Sequence, residues 1–116
     1  MFRISYFGHV DPEAMAACCL QVEKHLRAMR PGFLVLTDLS GLQAMDVDCV
    51  IHLAKIMEHL RASGVRTVVR VIPDPDKDIG FNILSIIHLR RGVKVVTCAS
   101  KAEAESTLKS HLADQA

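Results

Sequence analysis

The chain has 116 residues, 50% hydrophobic and 23% charged, which suits one globular domain with its own core and excludes a disordered chain. Lys plus Arg number 14 against 13 Asp plus Glu, so the net charge of +1 supplies no bulk attraction to nucleic acid or an anionic membrane. Aromatic residues make up 4%, with no Trp, which argues against a base-stacking surface for nucleic acid.

The predicted elements alternate. Residues 2–7, "FRISYF", set Phe2, Ile4 and Tyr6 against Arg3 and Ser5, a strand pattern that Gly8 is expected to end. Asp11-Pro12-Glu13 reads as an N-cap, a proline in the first turn and an early acid. The helix it opens runs to about Met29, with Met15, Cys18, Cys19, Val22, Leu26 and Met29 inward, until Pro31-Gly32 stops it. Residues 33–37, "FLVLT", are almost wholly apolar, as in a strand covered on both faces, and Asp38-Leu39-Ser40-Gly41 reads as a turn-rich loop. A second helix is expected from about Val47 to Ala62, with Val50, Leu53, Ala54, Met57 and Leu60 inward and His52, Lys55, Glu58, His59 and Arg61 in water.

Residues 65–72 then form a β-branched strand, 73–80 an acidic loop with prolines, 80–90 a shorter helix, and 93–98 another strand. Ser100 caps a last helix from Lys101 to about Leu112, with Ala104 and Leu108 inward. The expected architecture is α/β, with four to five mostly parallel strands flanked by about four helices in a single unit over residues 1–116, the first strand being free to sit antiparallel.

No cofactor and no metal are expected. The four cysteines form no CxxC pair, and most fall on inward positions where they act as small hydrophobes. His25, His52, His59, His88 and His111 make no HExxH and no His-x-His pair, and read as helix histidines. Asp74, Asp76 and Asp78 lack the closing glutamate of a calcium loop. Arg3, His9, Asp11 and Glu13 interrupt any apolar run at the start, so no signal peptide is expected and the cytoplasm is the expected compartment.

Three stretches resemble the STAS family, named for sulphate transporters and anti-sigma-factor antagonists. "FGHVD", 7–11, is similar to its glycine–acid turn; "LVLTDLSGLQAMD", 34–46, to its core strand and the loop into its key helix; "ASGVRTVV", 62–69, to that helix's end and the next strand. The resemblance implies a regulatory protein-interaction module and not an enzyme. In phosphorylatable members Met-Asp precedes Ser-Ser or Ser-Thr and a glycine, and one of those hydroxyls is phosphorylated by a partner kinase. Here Val47, Asp48 and Cys49 stand in those places, with Asp48 at the position of the hydroxyl.

The candidate interaction residues are therefore Asp38, Ser40, Asp46 and Asp48. Two readings of Asp46 and Asp48 stand side by side. As helix caps each accepts bonds from free N–H groups, worth about 1 kcal/mol. As a fixed charge, Asp48 supplies part of the roughly −1.5 to −2 of a phosphoserine. A catalytic pair fits poorly, since acids two residues apart on a helix point in different directions. The expected partner is a protein, with self-association through an exposed sheet edge or helix surface included, and no nucleic acid. Met15, Met29, Met45 and Met57 read as core or interface filler. The rival is a carrier of a small apolar ligand or lipid with an apolar cleft between helices and sheet, to whose surface Met45 and Phe81 would belong if exposed.

Overall fold

The structure, a computed structural model, describes residues 2–72 and 93–115. The expected 80–90 helix and the acidic loop before it, with Asp74, Asp76, Asp78, Phe81 and His88, lie outside the described residues. The elements are strand β1 (Phe2–Val10), helix α1 (Pro12–Leu26), strand β2 (Leu34–Met45), a 3-10 turn (Val47–Cys49), helix α2 (Val50–Ala62), strands β3 (Thr67–Val71) and β4 (Lys94–Cys98), and helix α3 (Lys101–Gln115).

The four strands form one sheet in the order β1-β2-β3-β4, and every pairing is parallel. β1 is thus parallel, not antiparallel. A strand order that follows the chain puts like-handed crossovers on one face. Accordingly, α1 and α2 pack together with Ile4, Tyr6, Val35, Leu39, Val68 and Ile72 through Met15, Cys19, Val22, Leu26, Leu53, Ile56, Met57 and Leu60. Helix α3 covers the other face, where Ala104 and Leu108 meet Leu34, Leu36, Val69, Val71 and Cys98. Sheet residues of alternating parity therefore feed two apolar layers, which explains the nearly unbroken hydrophobicity of β2 and β3.

The helix starts follow their sequence signals. Asp11 Oδ1 accepts from Ala14 N at 2.8 Å, with Pro12 at the first helical position. Ser100 Oγ accepts from Glu103 N at 3.2 Å, and Glu103 Oε2 accepts from Ala99 N at 3.1 Å. On α2 the inward stripe is Leu53, Ile56, Met57 and Leu60, with Val50 and Ala54 at its margin.

Two strands run further than expected. β1 continues through Gly8, whose φ is +59°, to His9 and Val10, which pair with Ala44 and Met45. β2 continues through Asp38–Gly41 to Met45, because Leu39 and Leu42 are buried. Register shifts between Ser5 and Phe7 and between Gly8 and His9 absorb the bends. The exposed Phe7 ring lies over Gly41, where a Cβ would sit 2.5 Å from Phe7 Cδ1.

Gly64 ends α2 with φ +88°, and a Cβ there would come within 2.9 Å of Pro31 Cβ. Gly32 has a similar φ of +89° but open space around it. Both alanine substitutions cost left-handed strain, about 1–3 kcal/mol. Gly64→Ala is expected to cost more, because Pro31 must also move. Urea midpoints of the two variants check this; equal shifts would remove the role assigned to Pro31.

Candidate functional site

The four candidate residues divide between two places. Asp38 sits where β2 leaves its pairing with β3, opposite Val71. Only 8% exposed, its carboxylate is well supplied with donors. Ser40 N and Ser40 Oγ donate to Oδ1 at 2.9 and 2.6 Å, and Lys101 Nζ approaches Oδ2 at 3.3 Å. Burial opposes ionisation of Asp38. The two bonds from Ser40 and the Lys101 ammonium outweigh it and hold the carboxyl below its ordinary value. Asp38 and Ser40 are thereby brought together as a structural corner tied to the start of α3.

Asp46 and Asp48 lie at the other place, between β2 and α2. The expected cap at Asp46 is corrected: its side chain makes no capping bond to the turn that follows. That turn is 3-10 in its first three residues, and the Asp46 carboxylate is drawn to His9, whose Nε2 lies 2.6 Å from Oδ1. The pair is largely in water, and such pairs contribute at most about 1 kcal/mol. The backbone does the anchoring: Asp46 N donates to Val10 O at 3.0 Å, and Cys49 N to Asp46 O at 2.9 Å.

Cys49 is fully buried, its Sγ 3.6 Å from Val10 O, and Met45 is buried as well, in keeping with its reading as core filler and leaving it no part in an apolar surface. With residues 45 and 49 plugged into the core, the residues between them are forced outward. Val47 is 75% exposed and Asp48 is exposed. Ile51, one turn on, is 65% exposed. Neither exposed apolar residue was singled out by the hydrophobic pattern, which marks apolar positions without saying which of them the core reaches. An open groove of about 360 Å³, lined by Ile51, Ala54, Lys55, Glu58 and His59, continues along α2.

Chemistry-bearing groups elsewhere are quiet. Burial pushes the thiols of Cys18, Cys19 and Cys49 above the ordinary value, the reverse of what an activated nucleophile needs. Burial likewise raises Tyr6, whose hydroxyl is 3.9 Å from Cys18 Sγ. His59 Nε2 lies 4.0 Å from Glu23 Oε2, and His25 tilts against Phe2 at 5.7 Å between ring centroids. Among the described residues no three His, Cys, Asp or Glu side chains gather as a metal site, and no helix is long and apolar enough to cross a membrane. The layer between the sheet and the two helices, where an apolar carrier would hold its cargo, is filled by side chains such as Met15, Val22, Leu53 and Met57.

No family model matches the sequence, and no curated protein matches it. Among solved structures, the fold is similar to that of an uncharacterized protein of the DUF3478 family from Shewanella loihica, described as having a SpoIIAA-like fold. The TM-score is 0.68 at 12% identity, over 91% of this chain and 82% of that one. It is also similar to the anti-sigma factor antagonist SpoIIAA in its unphosphorylated form. Here the TM-score is 0.61 at 18% identity, over 92% of this chain and 87% of that one. At these identities what is shared is the architecture. The chain has an α/β fold, a parallel sheet with helices on both faces, similar to the SpoIIAA-like fold.

Proposed function

We propose that this chain is a non-enzymatic regulatory module of the cytoplasm, a single domain over residues 1–116, that acts by binding protein. Asp48 is its recognition group, a permanent negative charge where phosphorylatable STAS members carry a hydroxyl. Asp38 and Ser40 brace the sheet end, and Asp46 fixes the turn that presents Asp48. The observation that carries this reading is the presentation itself: an exposed acid beside two exposed apolar residues, on a turn pinned by the buried Cys49. Single exposed apolar residues are ordinary, but neighbouring ones such as Val47 and Ile51, four residues apart beside an apolar groove, make a patch of the kind that partners cover.

The test is affinity capture from cells with wild type, Asp48→Ala and Asp48→Ser as baits, each checked by circular dichroism for an unchanged fold. The expected result is a partner recovered by wild type and reduced about tenfold with both variants, the effect of removing a charge that a partner's cation faces. Equal recovery by all three baits would dispose of Asp48 as the recognised group.

A further inference from the structure

The outer face of α2 carries four features that complement one another. Val47 and Ile51 project as apolar knobs. The groove lined by Ile51, Ala54, Lys55, Glu58 and His59 is a hole of matching character. Asp48 is an exposed acid and Lys55 an exposed base, and neither side chain is ion-paired or hydrogen-bonded to another described residue. The other charged groups beside the groove already have partners. Glu58 is held by Arg61 at 2.8 Å, and His59 lies beside Glu23. Asp48, Ile51 and Lys55 share one outward face, being spaced by three and then four residues along a continuous helical segment.

We infer that this face pairs with the same face of a second copy of the chain, the two α2 helices running antiparallel about a two-fold axis beside Ile51. The inference rests on the reading of Asp48 as the recognised group and names the partner. In a two-fold interface, if residue i meets residue j, then j meets i. An antiparallel register that sets Asp48 against Lys55 of the second copy therefore sets Lys55 against its Asp48 as well. The midpoint of that register falls between Ile51 and His52, so the two Ile51 side chains meet next to the axis. The same register places each Val47 level with Ile56 of the other copy, near Lys55 and Glu58, which line the groove. Knob, hole, acid and base are satisfied together by one operation.

A parallel arrangement would instead bring acid to acid and base to base. The net charge of +1 offers no global repulsion between copies. One helix face lies at the small end of specific interfaces, where weak, transient associations are found.

Sedimentation equilibrium of the full chain at concentrations up to millimolar tests this. Wild type is expected to dimerise reversibly. D48K and K55D are each expected to dimerise at least roughly tenfold more weakly, because each leaves one sign of charge at both positions and the copies repel. Mixed in equal amounts, the two variants carry opposite signs, and their heterodimer is expected to regain wild-type strength. A wild type that stays monomeric, single variants that dimerise like wild type, or a mixture that recovers nothing would each overturn the inference. A monomeric wild type that still captures another protein through Asp48 overturns self-pairing alone. A wild type that neither dimerises nor captures anything through Asp48 takes the proposed function with it.

Discussion

Leu108→Ala is expected to lower the unfolding free energy by about 2–4 kcal/mol, the range for emptying a leucine site in a packed layer. Leu108 is 2% exposed and Ala104 0%, and of the described side chains of α3 these two are the ones buried against the sheet. Of the other described links, Lys101 Nζ to Asp38 Oδ2 at 3.3 Å is the strongest, and the rest are weak. Arg3 and Glu105 pair at 3.0 Å, but both are about half exposed, so the pair contributes little. Thr107 Oγ1 approaches Cys98 Sγ at 3.8 Å, a marginal contact. Truncating Leu108 therefore removes most of the apolar anchorage that the described side chains of the helix supply, and leaves a gap beside Leu34, Leu36, Val69 and Val71. Urea melts give the size of the effect, and hydrogen exchange gives its location. The amides of α3 should lose protection before those of α2. A loss below about 1 kcal/mol, or one spread evenly over the chain, would mean that Leu108 does not hold this layer.

Leu108 and Ala104 are also the case in which sequence reasoning works best. They lie four residues apart behind a capping serine, in a stretch, Lys101–Ser110, whose other positions are polar apart from Ala102. The pattern admits one inward face. The alternation of strands and helices is legible for the same reason, since each apolar run is bounded by a glycine or proline and by the change of period that follows.

The stretch from Asp38 to Asp48 was harder to read, and the cause is physical. Asp38-Leu39-Ser40-Gly41 has the composition of a turn because Asp38 does bend back onto Ser40. Yet Leu39 and Leu42 keep the segment in the sheet, with Gly41 accommodating Phe7. Composition reports local bonds; the strand is decided by a neighbour that lies 34 residues away in sequence. Asp46 failed as a cap in the same way, because His9 lies 37 residues away. The exposure of Val47 and Ile51 follows from which of their neighbours reach the core, and no single-chain pattern states that.

Asp38→Asn is the variant with the largest expected dependence on pH. The substitution keeps an acceptor for Ser40 but removes the charge that faces Lys101, 3.3 Å away. Loss of a charge-assisted contact at a buried site is expected to cost about 1–3 kcal/mol at neutral pH. In the folded chain the Asp38 carboxyl lies below the ordinary value of 3.8, so the unfolded chain binds a proton more readily there. The stability that Asp38 contributes is therefore fully present above that value and lost as pH falls through the lowered folded value. Wild type should lose this increment on acidification, whereas Asp38→Asn, with no proton to take up, should not. The gap between the two should be widest near neutrality and narrow toward pH 3, as measured by urea melts across that range. Lys101→Met, which removes the cation from a mostly exposed side chain, should show the same narrowing with a smaller gap. A gap for Asp38→Asn that stays constant with pH would mean that Asp38 acts through the shape of its turn, and that its charge contributes nothing to joining β2 to α3.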